Sequence, residues 1–243
     1  MIMVINIKKL RIPALILLLF LMITAIIIII VKVRTEPDPV PAMASISAYP
    51  TLVIDAGHGG ADGGASAADG TVESLINLQI ALRMEQLAKL FGAPAVMTRT
   101  GETLDYPPEA ATIRQKKNWD QKTRIALINA TENAVLISVH QNTYPDARPS
   151  GSQVLYSKTA GSSEFAEIAH ANLIGALNPE NRRVAAPISN RIYLLKSVSC
   201  PEILVECGFL SNPAEAAKLG TGEYQTELAA ALIGSYLQYI GES

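Results

Sequence analysis

Three short apolar runs in this chain each lead to a polar residue that can do chemistry. Leu52-Val53-Ile54-Asp55-Ala56-Gly57 leads to His58, Val135-Leu136-Ile137-Ser138-Val139 to His140, and Ile203-Leu204-Val205 to Glu206. Apolar runs of this length predict strands buried in a parallel or mixed sheet. Between the first two the period changes. Ile76, Ile80, Met84, Leu87 and Phe91 recur at spacings of three and four, with Gln79, Arg83 and Gln86 opposite, so a helix is predicted over 72–91. Thr71 is its expected N-cap and Gly92 its expected stop. Further strands are expected at 51–55, 94–98, 152–156, 192–195 and 202–207. Further helices are expected at 119–129 and 163–177, after Pro213, and at 224–239. Pro107-Pro108 rules out a continuous helix across 100–118, a loop long enough to act as a lid. The alternation predicts an α/β domain: three layers, α/β/α, around a mixed, mostly parallel central sheet. Such sheets bind ligands beyond the carboxyl ends of their strands, where all three runs deliver their polar residue.

The first 34 residues stand apart. Ile12 to Val31 is apolar except for Thr24, and roughly 20 such residues span a bilayer as a helix. Lys8, Lys9 and Arg11 precede the run, and Lys32 and Arg34 follow it. An uncleaved membrane anchor over 1–34 is the expectation; the rival is a cleaved signal segment with Ala42-Met43-Ala44 as its small-residue site. Either way the remainder is placed outside the cytoplasm, membrane-anchored or secreted. Residues 35–48, with Pro37, Pro39 and Pro41, read as an extended spacer. Residues 49–243 suffice for one catalytic domain with a substantial core.

Without the five basic residues before Thr35, 15 basic side chains face 22 acidic ones, a formal charge of −7. That balance argues against nucleic acid as a partner. Cys200 and Cys207 would be too far apart along one extended strand to bridge, so two free, buried thiols are expected.

Two histidines at strand ends invite a metal, and catalytic zinc takes three nitrogen or oxygen ligands with one position open. The third ligand should be a nearby carboxylate. Glu73, in the first turn of the helix after the His58 loop, is the leading candidate. Asp55, expected to brace the loop, and Asp62, in a Gly-rich stretch, compete with it. Glu206 is suited to proton transfer, because an unpaired buried carboxylate has no structural excuse; a salt bridge to an arginine is the alternative. Asn142 or Gln141 could polarise a substrate carbonyl or merely tie the loop. His170 is placed on the outer face of its helix. Cys207 alternates with Glu206 and should face a helix layer, which argues against a Cys-His nucleophile.

Asp55-Ala56-Gly57-His58-Gly59-Gly60, Glu73, Ser138-Val139-His140-Gln141-Asn142 and Val205-Glu206-Cys207-Gly208-Phe209-Leu210-Ser211-Asn212 together resemble the signature blocks of the zinc-dependent N-acetylmuramoyl-L-alanine amidases of bacterial cell walls. The resemblance runs in order from Thr51 to Tyr239. It implies one zinc ion held by His58, Glu73 and His140, with Glu206 as the catalytic glutamate. It also implies a peptidoglycan substrate, cut between the lactyl group of N-acetylmuramic acid and L-alanine. Gln141 departs from the alanine often found there. A bare anchored catalytic domain is most similar to the germination-specific amidases of the spore cortex, which implies a spore-envelope location and an activating lipoprotein partner. Substrate contact by Asn142 is a further expectation. The alternatives are a zinc carboxypeptidase or deacetylase on the same ligands, and a wall-binding scaffold.

Overall fold

The computed structural model describes residues 49–189 and 192–242, with Met22 and Thr24. The expected anchor and Pro-rich linker lie outside the described residues, those two positions aside. Among the described residues no helix is long and apolar enough to cross a membrane.

In chain order the elements are β1 (Thr51–Ala56), α1 (Glu73–Leu90), β2 (Ala95–Met97), α2 (Ile113–Ala130), β3 (Ala134–Asn142), β4 (Gln153–Tyr156), α3 (Ser162–Leu177), β5 (Ala186–Pro187), α4 (Tyr193–Lys196), β6 (Glu202–Phe209), α5 (Pro213–Leu219) and α6 (Gly222–Glu242). One six-stranded sheet runs β2-β1-β3-β6-β4-β5. Its first four strands are mutually parallel, β4 is antiparallel to β6, and β5 is parallel to β4. The expected mixed, mostly parallel sheet is what forms. Ile54, Ile137, Val139, Val205 and Cys207 pack on one face against Ile80 and Met84 of α1, Phe165 of α3 and Leu232 and Tyr236 of α6. Val53, Leu136 and Leu204 face the other way, onto Ile128 of α2 and Leu194 and Leu195 of α4. Burial on both faces accounts for the apolar cores of β1, β3 and β6; each such side chain contributes about 1.5–3 kcal/mol. The Tyr236 hydroxyl donates to the Pro50 carbonyl, so α6 closes onto the residue just before β1.

Several local expectations are corrected. The segment 192–195 is not a strand, because β6 already pairs with β3 and β4; instead its two leucines are buried in the second core from a short helix. The outer strand on the β4 side of the sheet is Ala186–Pro187. Helix α2 starts at Ile113 rather than 119: Thr112 Oγ1 accepts from the Gln115 N–H while Gln115 Oε1 accepts from the Thr112 N–H, a complete capping box. Thr112→Ala should therefore cost about 1 kcal/mol in chemical denaturation, with the baselines unchanged. Val72, not Thr71, stands at the N-cap of α1, with no side-chain cap. Gly92 does follow that helix with φ +69°, but Phe91 is 59% exposed. His170 is buried rather than outward, with Nε2 2.8 Å from the Arg183 carbonyl oxygen. Both thiols are free; Cys207 is buried as expected, whereas Cys200 is only partly so.

Candidate metal centre and catalytic crevice

β1 ends at Ala56, and two residues later the chain turns through His58 with φ +60°. A positive φ is uncommon for a non-glycine residue and persists only where surrounding bonds over-determine it. Arg99, just past β2, supplies several of them. Its Nε donates to the Ala56 carbonyl at 2.9 Å and its Nη2 to the Ser74 carbonyl at 2.7 Å and the Gly57 carbonyl at 3.2 Å. Tyr106, in the 100–112 segment, caps the same loop by accepting from the Ala61 N–H at 2.9 Å.

The turn brings His58 to His140 and Glu73. His58 Nε2 is 3.3 Å from Glu73 Oε1, and His140 Nδ1 is 2.9 Å from the same oxygen. One donor atom from each residue lies within 4.8 Å of the others. Glu73 is thus the carboxylate of the cluster, and it is buried. Its Oε1 accepts from the Gln141 N–H at 3.1 Å, its Oε2 from the Ala65 N–H at 2.8 Å. Backbone shape makes room for these groups: a Cβ on Gly57 would sit 2.3 Å from the His140 ring, and one on Gly64 (φ +71°) 2.5 Å from Glu73 Oε2.

Asp62 is not a member of the cluster, yet it is far from loose. Its Oδ2 is 2.8 Å from His58 Nδ1, its Oδ1 pairs with Lys117 Nζ at 2.9 Å, and residues 59 and 62 exchange backbone hydrogen bonds. Burial opposes a charge on His58, but Asp62 and Glu73 outweigh it and hold its pKa up to about 9. Burial likewise opposes ionisation of Glu73, and the two imidazoles pull it back below the usual carboxylate range. The loop therefore favours positive charge between two carboxylates.

His140 and Glu206 are register partners on β3 and β6, followed by a bulge. Both line a crevice of about 200 Å³ with His58, Ser138, Arg124, Leu204 and Tyr193. A larger hollow of about 540 Å³ at the β4–β5 edge, bordered by Tyr156, Lys158 and Ile188, contains none of the cluster's donors. Glu206 Oε2 is buried with no hydrogen-bond partner among the described residues. Burial pushes its pKa up, partly countered by His140. The salt-bridge alternative fails, because Arg124, the arginine lining the crevice, is already engaged. Its guanidinium meets Asp55 at 3.3 Å and Asp120 on the next turn of α2.

Asp55 is fully buried and also accepts from Ser138 Oγ at 2.6 Å and Thr98 Oγ1 at 2.8 Å. It braces β1, β3 and α2 rather than the His58 loop. Gln141 does not face the crevice: its side chain is buried and donates to Asn77 Oδ1 at 3.1 Å. Asn142 lies past His140 at the bulge, where its Oδ1 accepts from the Thr143 N–H; it does not line the crevice. Arg99 and Asn77 escaped the sequence as parts of the site, and Asp62, weighed there as a third ligand, is instead the partner of His58 Nδ1. Asp62 needed the His58 turn to be known, whereas Asn77, four residues after Glu73, is on the same face of α1 by spacing alone.

The chain resembles known proteins over this whole unit. The family model for N-acetylmuramoyl-L-alanine amidase matches residues 52–235. A germination-specific N-acetylmuramoyl-L-alanine amidase of Bacillus subtilis is 36% identical over 193 residues, which cover 79% of this chain and 80% of the relative. The CwlD amidase from Clostridioides difficile, solved in complex with the GerS lipoprotein, superposes with a TM-score of 0.76 at 32% identity, over 80% of this chain and 100% of that one. An N-acetylmuramoyl-L-alanine amidase from Clostridium difficile 630 gives a TM-score of 0.68 at 28% identity, over 81% and 99%. With the parallel strands, the His-Glu-His cluster and the lone glutamate in register, these matches lead to one conclusion: this chain belongs to the N-acetylmuramoyl-L-alanine amidase family.

Proposed function

We propose that His58, Glu73 and His140 hold one zinc ion. With it, the protein hydrolyses the amide between N-acetylmuramic acid and L-alanine in peptidoglycan. The convergence of two imidazoles and a carboxylate within 4.8 Å, beside a half-buried glutamate whose buried Oε2 has no hydrogen-bond partner among the described residues, carries this reading. The donor set fits the metal. Two histidine nitrogens and one carboxylate oxygen are a catalytic zinc set, and one such atom from each of the three residues lies within 4.8 Å of the others. Zinc, when bound there, polarises a substrate carbonyl and brings water into its ionising range near neutral pH.

The chain's own residues supply the rest. Asp62 accepts from His58 Nδ1–H and so leaves Nε2 free as a donor. The backbone N–H groups of Ala65 and Gln141 fix the Glu73 carboxylate. Glu206 takes a proton from the attacking water and delivers it to the alanine nitrogen as the C–N bond breaks, leaving a muramoyl carboxyl and a free amine. Its raised affinity for protons suits both halves of that transfer. Asp62→Asn should weaken zinc retention about 10–100-fold without unfolding the domain, as read by chelator competition.

The germination-specific relative supports a role in spore cortex modification, and the lipoprotein-bound structural relative supports a lipoprotein partner. An N-terminal membrane anchor over 1–34, from the apolar run at 12–31, completes the proposal and places the domain outside the cytoplasm. Mass spectrometry of cortex peptidoglycan digested by the zinc-loaded chain tests the reaction. New L-alanine amino termini are expected; released terminal residues would mean a carboxypeptidase, and lost acetyl groups a deacetylase. Cortex with unaltered composition in a deletion strain would remove the spore assignment. Protein recovered wholly in the soluble fraction, with its N-terminus beyond Ala44, would remove the anchor.

A further inference from the structure

Behind the cluster, on the sheet face away from the crevice, runs a buried chain of amides with no part in the chemistry above. Gln141 Nε2 donates to Asn77 Oδ1 at 3.1 Å. Asn77 Nδ2 donates in turn to the Gly57 carbonyl at 3.0 Å and reaches Glu73 Oε1 at 3.4 Å. Asn77 is fully buried and Gln141 is 3% exposed. The Gln141 side-chain oxygen is buried with no hydrogen-bond partner among the described residues, and the side chain lies within hydrogen-bonding reach of the buried Cys207 thiol.

That last feature makes the chain informative. A buried amide oxygen without a partner is a stability penalty, which an apolar side chain of similar volume would not incur. Gln141 therefore brings no clear net gain to the fold: its hydrogen bond to Asn77 is set against an oxygen left unmet. What it does supply is a direction. The Asn77 amide can be turned either way about its last bond. With its oxygen held by Gln141, its NH2 is aimed at Glu73 Oε1 and the Gly57 carbonyl, the two groups that bracket the cluster. Reversed, it would set an oxygen against the Glu73 carboxylate. Gln141 also touches Glu73 directly, through its backbone N–H, so both ends of the amide chain bear on one oxygen.

We infer that Gln141 is a positioning residue for the metal centre, orienting the Asn77 amide so that Glu73 stays aimed at the metal. This inference rests on the zinc reading above and extends it to residues that touch neither metal nor substrate.

The test separates the two. Zinc dissociation constants by chelator competition and metal-free melting temperatures by circular dichroism are measured for the full chain, Q141M, N77L and Q141M/N77L. Q141M should hold zinc about 10-fold or more weakly, as expected when an outer partner of a ligand is lost. Its metal-free melting temperature should stay within a few degrees of native, because losing the unmet Gln141 oxygen offsets leaving Asn77 Oδ1 without its donor. Q141M added to N77L should produce no further loss, because Gln141 acts through Asn77. Native zinc affinity in Q141M, or multiplicative losses in the double variant, would overturn the inference. Weakened zinc binding explained by a fall in metal-free stability would overturn it as well. If Q141M fails to fold, Q141L, which leaves a smaller void than alanine, carries the same expectations. A native chain that binds no zinc would defeat the metal-centre reading itself, a different result from any of these.

Discussion

Glu206→Gln should abolish nearly all hydrolysis while leaving the protein folded and its zinc in place. Glutamine keeps the shape of the side chain but cannot accept a proton from water and return it to the departing nitrogen. The expected loss is about 10²–10⁴-fold in turnover, the usual worth of a general acid–base group. The measurement is the rate of appearance of L-alanine amino termini by mass spectrometry, with zinc content and circular dichroism as controls. No large loss of stability should accompany it. Glu206 Oε2 has no hydrogen-bond partner among the described residues, so the substitution breaks no such bond at that atom. A variant that kept activity within tenfold of native would remove Glu206 from the reaction and return attention to the other crevice residues.

Arg124→Met should produce the largest change in stability. It leaves two carboxylates, Asp55 and Asp120, buried beneath the crevice without their cation. Removing one partner of a buried ion pair typically costs about 3–5 kcal/mol. For a domain of this size the corresponding fall in Tm is on the order of 10 °C, read by thermal unfolding at neutral pH. The sign of the pH dependence is a second check. In the native protein burial alone would raise the pKa of Asp55, but Arg124, then Ser138 and Thr98, hold it below its ordinary value. A depressed folded-state pKa gives stability that is complete above the unfolded value, about 3.9, and is lost as the pH falls through the folded one. In the variant burial dominates, so the orphaned carboxylate destabilises at neutral pH and its cost fades as it takes up a proton. The gap between native and variant should therefore narrow with acidification. A gap that is constant or widens would mean that Arg124 contributes by packing rather than by charge. Asp55→Asn in the same background should recover part of the loss.

The skeleton of this site is legible in the sequence because parallel strands buried on both faces leave so little choice. An apolar run that breaks on histidine or glutamate marks a polar site near the carboxyl end of a strand. His58 stands two residues past β1, whereas His140 and Glu206 are paired within β3 and β6 and reach the crevice from the sheet face. Its place at the start of α1 makes Glu73 the leading third ligand over Asp55 and Asp62, and the family resemblance is what singles it out. What the sequence hides is fixed by long-range partners. Nothing local says that Arg124 meets Asp55, 69 residues away, or that the Asp62 side chain folds back onto His58. The segment 192–195 has the composition of a strand and becomes a helix only because β4, running antiparallel, already occupies the flank of β6. The start of α2 is a different failure. The Thr112–Gln115 capping box is plain in the sequence, but the prolines at 107 and 108 drew the boundary too far along. The outward placement of His170 followed a helical wheel, which cannot anticipate that the 178–185 segment would fold back over that face and offer the Arg183 carbonyl.

The bond from the Tyr236 hydroxyl to the Pro50 carbonyl has a consequence for how the domain is made. It joins residues 186 apart, and β1, whose start it seals, is an interior strand of the sheet. A chain delivered amino end first thus supplies an inner strand early and the helix that covers it last. Closing so long a loop is slow, and parallel strands add further delay, since each must wait for a distant partner. The domain cannot complete its core until α6 has emerged, so folding is finished only after the whole chain is free, and a truncation upstream of Tyr236 leaves an apolar sheet face open to aggregation.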